Sequence, residues 1–183
     1  MHDNLVYVPF HVEQGNLQKA IAGAYSLNVL GLNVTVPYKQ AVIPYLDCVE
    51  GLAEKIGAVN TLVRTENGFR GYNTDMMGLY RAMEEEGIAF EAEDMILLGA
   101  GGAARAAAFL CAEKGAKRVY LLNRSYEKAA VLAEEVNRAY ERDCILPMAL
   151  SEYEKLPEEK MTAIQGTSAG LYPNTEDAVI LDP

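Results

Sequence analysis

Residues 94–110 read Asp94-Met-Ile-Leu-Leu-Gly-Ala-Gly-Gly-Ala-Ala-Arg-Ala-Ala-Ala-Phe-Leu110, and this stretch decides the fold of the second half of the chain. Met95 to Leu98 form a short apolar run, which is typical of a buried strand. The alanine-rich segment after Gly102 is typical of a helix. Arg105 and the glycines interrupt the apolar run too often for a membrane-spanning segment. We therefore expect a buried strand, a tight turn and a helix.

The turn itself matches a dinucleotide-binding fingerprint, G-x-G-x-x-A, from Gly99 to Ala104. Gly99 permits the tight turn, Gly101 lets the backbone approach a pyrophosphate, and Ala104 keeps the helix close to the strand. The free amides at the start of the helix favour a negative charge there. The alternative is a glycine turn that serves packing alone. The predicted cofactor-binding residues of this loop are Gly99, Ala100, Gly101, Gly102 and Ala103.

Strands and helices alternate regularly around this loop, and this alternation indicates a parallel sheet. The helix over 126–140 carries one apolar stripe with the period of an α-helix. The predicted strands cover 95–98, 118–122, 143–146 and 161–165, and the predicted helices cover 102–114 and 126–140. We expect residues 89–183 to form a Rossmann-like, doubly wound domain that binds a dinucleotide and is incomplete at its C-terminus.

The end of the second strand of this domain indicates which dinucleotide binds. An NAD site normally has an acidic residue there for the ribose hydroxyl, but the chain has Asn123-Arg124-Ser125. Arg124, Ser125 and Lys128 suit a 2′-phosphate, because charge-assisted hydrogen bonds to phosphate are strong and directional. The predicted cofactor is NADP. The alternative is that Ser125 caps the next helix and Arg124 is a solvated surface side chain.

The first half of the chain predicts a separate α/β domain over residues 1–88. A hairpin is expected around Asn67-Gly68, whose positive φ angles would make a tight turn, and Pro37 is expected to open a helix. The predicted strands are Leu5–Phe10, Asn28–Val36, Val59–Arg64 and Phe69–Asn73, and the predicted helical segments are Leu17–Leu27, Tyr38–Leu46, Val49–Ile56 and Met76–Glu86, the last closed by Gly87.

Lys39, Asp75 and Asn60 are the candidate chemical groups of this domain. Hydride transfer to a ketone leaves an alkoxide, which a positioned acid must protonate. Lys39 is expected at a helix start, where the helix dipole disfavours its charge. Asp75 lies where a strand passes into a helix, so it could also be a helix cap. Asn60 shares a strand face with apolar neighbours, so its amide is expected to point toward a core or a cleft. The alternative is that this amide bonds to buried backbone groups.

Five segments together resemble the shikimate dehydrogenase family in their order and spacing. They are Asn33-Val-Thr-Val-Pro-Tyr-Lys39, Ile56-Gly-Ala-Val-Asn-Thr61, Gly71-Tyr-Asn-Thr-Asp75, Gly99-Ala-Gly-Gly-Ala-Ala104 and Asn123-Arg-Ser125. The loop from Gln165 to Gly170 is similar to the family's segment beside the nicotinamide, although Gln165 replaces the usual asparagine. The resemblance extends from about residue 5 to this loop.

The resemblance implies an enzyme of the shikimate pathway, which leads to chorismate and the aromatic amino acids. NADPH would deliver hydride to 3-dehydroshikimate and give shikimate, reversibly. Lys39 would act as acid and base, and Asp75 would orient both this lysine and a substrate hydroxyl. The resemblance also assigns Thr35 and Asn60 to substrate hydroxyls and Thr167 and Ser168 to the cofactor.

The chain also departs from the family pattern at both ends. Family members begin with another strand and a serine-containing loop that holds the substrate carboxylate, and no Ser-x-Ser segment occurs here. They continue past Pro183 with more strands, a tyrosine and a glutamine that touch substrate, and a helix. We therefore expect both domains to be partial, with a raised KM and a lowered kcat. A quinate-preferring dehydrogenase and a noncatalytic NADP-binding module remain alternatives.

Composition and charge exclude other classes of partner. The formal net charge of -10 at pH 7 and the sequence pI near 4.7 disfavour nucleic acid and anionic membranes. The spacing of Cys48, Cys111 and Cys144 indicates neither a disulfide framework nor a metal site. No signal peptide is visible at the N-terminus, so we expect a cytoplasmic protein. We expect it to be a monomer or a homodimer.

Overall fold

Parallel strands and connecting helices build the second half of the chain. The computed structural model describes residues 4–171 and 175–179. Four strands, all paired in parallel, form a sheet in the order β7-β6-β5-β8. These strands are β5 (Asp94–Leu98), β6 (Arg118–Asn123), β7 (Ile145–Ala149) and β8 (Thr162–Gln165), and the helices between them are α4 (Gly102–Glu113) and α5 (Tyr126–Tyr140). The predicted Rossmann-like parallel sheet is confirmed.

The two faces of this sheet are covered by different elements. Val119 and Leu121 of β6 lie in a core cluster with α4 and α5, whereas Tyr120 and Leu122 lie in a cluster with the Leu150–Lys155 3-10 helix. Successive side chains of a strand point to opposite faces, so both faces of β6 are buried. The apolar stripe predicted on α5 is also buried.

Strand β5 lies at the point where the direction of winding reverses. The chain runs from β5 to β6 and β7 on one side and then returns to place β8 on the other side of β5. Loops at the carboxyl ends of parallel strands diverge at such a point and leave a crevice between them. The glycine loop after β5 therefore lies at this crevice, where ligands of such sheets bind.

A mixed sheet forms the first half of the chain, in the order β1-β3-β4-β2. Strand β3 is antiparallel to both β1 and β4, and β2 is parallel to β4. The strands are β1 (Gly31–Asn33), β2 (Cys48–Val49), β3 (Thr61–Arg64) and β4 (Phe69–Tyr72), and the helices are α1 (Leu17–Ser26), α2 (Gly51–Ile56) and α3 (Asp75–Glu85), with a 3-10 turn at Ile43–Tyr45.

The hairpin between β3 and β4 is confirmed, but the reason given for its glycine is wrong. Neither Asn67 nor Gly68 has a positive φ angle. The backbone N–H of Thr65 donates to the carbonyl of Gly68 at 2.9 Å and closes the turn. A Cβ atom at Gly68 would lie 3.1 Å from the Cβ of Asp47. This glycine therefore permits close approach of another loop.

The predicted strand Leu5–Phe10 is wrong. Residues 4–13 belong to no strand, and the side chains of Val6 and Tyr7 are 88% and 83% exposed. An apolar segment becomes a strand only where a neighbouring strand pairs with its backbone groups. Residues 4–13 have no such neighbour within the part of the chain that the structure describes.

The helix predicted to begin at Pro37 is also wrong. Residues 39–42 form turns, and only the short 3-10 helix Ile43–Tyr45 follows. Pro44 has no N–H group, so an α-helical hydrogen-bond ladder cannot continue through it. The helix predicted from Val49 begins at Gly51, where the Glu50 side chain accepts from the N–H of Leu52 at 3.0 Å.

A common core joins the two sheets. Ile56, Ala58 and Met76 from the first half pack in one buried cluster with the alanine-rich face of α4. The small side chains of α4 let these elements approach closely. Helix α3 packs directly against α4. The boundary between residues 88 and 89 stays a prediction.

The helices of the structure are short. The longest described helix, α5, has 15 residues. Across residues 4–171 and 175–179, no helix combines the length and apolarity that a membrane span requires.

Candidate active site

The side chains of Lys39 and Asp75 form an ion pair at the junction of the two halves. Lys39 lies in the turns after Pro37, and Asp75 is the first residue of α3. The Nζ atom of Lys39 donates to Oδ2 of Asp75 at 2.7 Å. The two side chains are 16% and 29% exposed. Both are therefore accessible to a small molecule and partly shielded from water.

Asn60 fixes the other oxygen of this carboxylate. Its Nδ2 atom donates to Oδ1 of Asp75 at 2.8 Å and to the hydroxyl of Thr74 at 2.9 Å. Its Oδ1 atom accepts from the Thr74 backbone N–H at 3.0 Å and from the Thr61 hydroxyl at 3.0 Å. Asn60 is 9% exposed, so this amide is a buried and satisfied group. The Asn60 side chain therefore holds the Asp75 carboxylate in place.

The side chain of Asn73, and not that of Asp75, accepts a hydrogen bond from a backbone N–H at the start of α3. The Oδ1 atom of Asn73 accepts from the backbone N–H of Asp75 at 3.0 Å, and its Nδ2 atom donates to the carbonyl of Ala58 at 3.0 Å. The alternative that the Asp75 carboxylate caps this helix is therefore wrong. Because a neighbouring side chain supplies the acceptor, the carboxylate of Asp75 is available for Lys39.

Lys39 also contacts the glycine loop of the second half. Its carbonyl accepts from the N–H of Val59 at 2.7 Å, which anchors the backbone. Its aliphatic stem lies over Gly102, where a Cβ atom would be 3.3 Å from Cδ of Lys39. No α-helix begins at Lys39, so the expected helix-dipole effect on its charge does not apply. The ion pair with Asp75 is the electrostatic partner that the structure provides.

The glycine loop has the shape that the fingerprint predicts. Gly99 has a φ angle of +104°, and a Cβ atom there would lie 2.9 Å from Cγ2 of Thr167. Gly101 has open space around its Cβ position, so a ligand can approach its backbone. Ala104 packs against Gly166, where a Cβ atom would lie 2.7 Å from Cβ of Ala104. Ala100, Gly102 and Ala103 complete the loop and the first turn of α4.

The loop after β6 lies beside the glycine loop, because the N–H of Gly99 donates to the carbonyl of Leu122 at 2.8 Å. Asn123 donates through Nδ2 to the carbonyl of Ser125 at 2.9 Å. Arg124 and Lys128 are exposed, and within residues 4–171 and 175–179 neither forms an ion pair with an acidic side chain.

Ser125 precedes α5 but its side chain does not cap the helix. Its hydroxyl donates to Oε2 of Glu127 at 2.9 Å. The pKa of Glu127 lies below its usual range, because its own backbone N–H and then this hydroxyl stabilise the carboxylate. The alternative assignment of Ser125 as a side-chain cap is therefore wrong. The hydroxyl bonds to the Glu127 carboxylate instead.

The remaining predicted residues lie at the rim of the site. Thr35 is exposed after β1, and among the described residues its side chain makes no hydrogen bond. Thr167 lies against Gly99, and its hydroxyl accepts from the N–H of Ala169 at 3.2 Å. Ser168 is exposed next to it. Gln165 donates to the carbonyl of Ala169 at 2.9 Å and closes this loop.

Sequence reasoning missed two groups that shape the site, Asn73 and Arg105. A cation within a helix of buried alanines was the available signal for Arg105. Asn73 carried the weaker signal of an amide two residues before a helix start. Both side chains bond to backbone carbonyls from distant segments, and such partners cannot be read from local pattern.

These features define a class of protein. The glycine loop lies where the winding of the parallel sheet reverses, and a lysine–carboxylate pair from a second α/β unit faces that loop. This combination is typical of oxidoreductases that use a nicotinamide dinucleotide and consist of two α/β units. Family comparison agrees with this class. Residues 1–62 match the shikimate dehydrogenase substrate binding domain, and residues 82–173 match shikimate / quinate 5-dehydrogenase. The chain belongs to the shikimate/quinate 5-dehydrogenase family.

Relatives and solved structures support the same family. The NADP(+) shikimate dehydrogenase of Methanothermobacter thermautotrophicus is 43% identical over 175 residues, which cover 94% of this chain and 60% of that protein. A solved shikimate dehydrogenase in complex with NADP+ has a TM-score of 0.83 at 35% identity, covering 96% of this chain and 61% of the other. The quinate dehydrogenase of Corynebacterium glutamicum, solved with NAD, has a TM-score of 0.78 at 32% identity, covering 88% and 58%. The chain thus spans about three fifths of these relatives.

Proposed function

We propose that this chain carries the proton-transfer and cofactor-binding groups of an NADP-dependent shikimate dehydrogenase, which interconverts 3-dehydroshikimate and shikimate. The observation that carries the proposal is the Lys39–Asp75 ion pair, whose lysine stem lies over Gly102 of the glycine loop. In carbonyl reduction the hydride donor must reach the carbonyl carbon, and the proton donor must reach the oxygen of the same carbonyl. The junction of the two halves is where this arrangement can form.

Lys39 is the proposed acid and base. In reduction its ammonium donates a proton to the oxygen of the carbonyl as that oxygen gains charge, and in oxidation the amine recovers the proton. Asp75 holds Nζ in place through the ion pair. Asn60 in turn holds Asp75 through Oδ1, so each group in the series is oriented by the next. The resemblance assigns Thr35 and Asn60 to substrate hydroxyls, and the exposed Thr35 is free to take that role.

NADP is the proposed cofactor, and its nicotinamide would supply or accept the hydride. The residues fit this group because the backbone at Gly101 is open to a pyrophosphate and the α4 amides begin there. Arg124 and Lys128 are exposed cations close to Ser125 in the sequence, and such cations suit a 2′-phosphate. Relatives named for NADP(+) support the choice. Thr167 and Ser168 are proposed to lie along the nicotinamide side.

The other proposals concern organisation. We infer a substrate domain over residues 1–88 and a cofactor domain over 89–183, acting as a monomer or homodimer on a small molecule without nucleic acid. The thiols of Cys48, Cys111 and Cys144 are all free, which supports a reducing, cytoplasmic location. Burial raises the pKa of Cys111 to about 12, so this thiol is unreactive.

The direct test is shikimate-dependent reduction of NADP+ by this chain and by Lys39→Ala. The matched control is Lys19→Ala, which removes an exposed lysine of α1. We expect the Lys39 variant to lose turnover and the control to retain it. Equal background rates in all three proteins would contradict the catalytic proposal and favour the noncatalytic NADP-binding module. Parallel assays with quinate distinguish the quinate-preferring alternative, which the solved quinate dehydrogenase neighbour favours.

A further inference from the structure

Arg105 connects helices α4 and α5 of the proposed cofactor domain, residues 89–183 (the cofactor half), with the proposed substrate domain, residues 1–88 (the substrate half). It lies one turn into α4, and its side chain is 14% exposed. Its Nε atom donates to the carbonyl of Ile56, and its Nη1 atom pairs with Glu135 of α5. The guanidinium carbon lies 5.4 Å from the centre of the Phe109 ring. One side chain thus contacts α2, α4 and α5.

The partner on the substrate side is the end of α2. Ile56 is the last residue of this helix, and the last carbonyls of a helix lack partners and carry partial negative charge. Gly57 follows with a φ angle of +67°, and a Cβ atom there would lie 3.0 Å from Nη2 of Arg105. Glycine at this position therefore permits both the left-handed turn and the approach of the guanidinium.

The segment held by Arg105 leads directly to the proposed catalytic pair. Three residues after Ile56, the N–H of Val59 binds the carbonyl of Lys39 at 2.7 Å. One residue further, Asn60 binds Oδ1 of Asp75 at 2.8 Å. A shift of this segment relative to α4 would carry both Lys39 and Asp75 with it.

The two helices that Arg105 contacts each begin directly after a proposed cofactor-binding loop. Helix α4 begins at Gly102, over which the Lys39 stem lies, and α5 begins at Tyr126, directly after Ser125. Arg105 bonds across the junction between these helices and the α2 end. The two bonds of Arg105 come from different nitrogens of a planar fork, whereas a lysine carries all its donors on one nitrogen and reproduces this spacing poorly.

We propose that Arg105 is a positioning residue, which sets the placement of the Lys39–Asp75 pair relative to the glycine loop. The inference rests on the proposed function for its kinetic consequence. Among the described residues, Arg105 bonds to Ile56 and Glu135 and to neither member of the Lys39–Asp75 pair. Its effect is on geometry, because small misplacements between reacting groups lower the rate steeply.

The test compares Arg105→Met with Arg142→Met. Arg142 also donates to backbone carbonyls, that of Ala112 in the last turn of α4 at 3.0 Å and that of Ala116 in the loop after it at 2.9 Å, but entirely within the cofactor half. Both variants remove guanidinium hydrogen bonds to backbone carbonyls, Arg105→Met also removes the pair with Glu135, and only Arg105 spans the junction. Arg105→Lys tests for partial rescue. Thermal unfolding is recorded for every variant.

We expect Arg105→Met to lower kcat by about 10- to 100-fold, while the KM for NADP+ changes by less than about 3-fold. Arg105→Lys should recover part of this loss. Arg142→Met should keep kcat within about 3-fold of the parent at a comparable loss of thermal stability. Equal kcat for the two methionine variants would overturn the proposal, because it would leave Arg105 with a stabilising role alone.

Hydrogen exchange provides a readout that does not depend on turnover. Arg105→Met should speed amide exchange at Val59 and Asn60 by about 10-fold or more, whereas Arg142→Met should not. Unchanged exchange at both amides would overturn the positioning role. If the unmodified chain shows no turnover, the proposed function fails, and the exchange rates still decide the role of Arg105.

Discussion

The Nζ atom of Lys39 lies 2.7 Å from Oδ2 of Asp75, although 36 residues separate the two along the chain. The pair forms because the exit from β1, the end of β4 and the start of α3 converge at one edge of the first sheet. Asn60 occupies the other carboxylate oxygen and prevents Asp75 from rotating away. The lysine stem then extends over Gly102 of the cofactor half.

Asp75→Asn should lower shikimate-dependent NADP+ reduction strongly. The amide keeps the size of the side chain but removes the charge that holds Lys39, so we expect kcat to fall by about 100-fold or more. NADP+ affinity should change little, because Asp75 lies on the substrate side. Steady-state kinetics and a cofactor titration measure the two effects. Glu54→Gln, an exposed acidic residue of α2, is the control, and a similar kcat loss there would refute the assignment.

Arg124→Ala should weaken NADP+ binding much more than NAD+ binding. Only NADP+ carries a 2′-phosphate, and loss of a charge-assisted hydrogen bond of about 1.5–3 kcal/mol corresponds to about a 10- to 100-fold increase in Kd. Calorimetric titration of both cofactors gives the comparison. Arg138→Ala removes an exposed arginine that pairs with Glu134, and should leave both affinities unchanged. Equal losses for the two cofactors with Arg124→Ala would be incompatible with a 2′-phosphate contact.

Gly166→Ala should destabilise the cofactor half, whereas Gly78→Ala should not. A Cβ atom at Gly166 would lie 2.8 Å from Cα and 2.9 Å from N of Ala104, so the backbone must move apart. Overpacking of this kind costs about 1–3 kcal/mol. Gly78 lies on α3 with open space around its Cβ position, and alanine there should stabilise the helix by about 0.5–1 kcal/mol. Chemical unfolding measures both, and destabilisation by Gly78→Ala would contradict this reasoning.

Asp94→Asn should lower stability at neutral pH and lose its effect in acid. Arg118 holds the pKa of Asp94 below its usual range, mainly through hydrogen bonds from its guanidinium. The folded pKa is lower than the unfolded value of about 3.9, so the stabilisation is complete above that value and disappears as pH falls through the folded pKa.

Thermal unfolding of the Asp94 variant from neutral pH to strongly acidic pH provides the check. Because the Asp94 side chain is 9% exposed, we expect a loss of about 1–3 kcal/mol near neutral pH. Glu134→Gln disrupts an exposed pair with Arg138 and should change stability by less than about 0.5 kcal/mol. A difference between parent and Asp94→Asn that persists unchanged in strong acid would exclude the ion pair as its cause.

Local sequence pattern predicted most of the second half of the chain. The helix over 126–140 agrees at both ends, and every strand of the parallel sheet lies within three residues of its predicted bounds. The apolar strands, the helical stripe and the Gly99–Ala104 loop are all local signals. The first half was harder, because strand Cys48–Val49 is only two residues long and pairs with a strand that follows it in the chain.

The sequence by itself therefore determined the order of strands and helices in the second half of the chain, the glycine loop and the identity of the polar groups, because these depend on residues close together in the chain. Only the tertiary structure decided that Asn73 frees Asp75 from capping, that Lys39 reaches both Asp75 and Gly102, and that Arg105 bonds to the end of α2. It also decided that residues 5–10 form no strand. These outcomes depend on which distant backbone and side-chain groups packing brings within hydrogen-bond distance, and local pattern carries no such information.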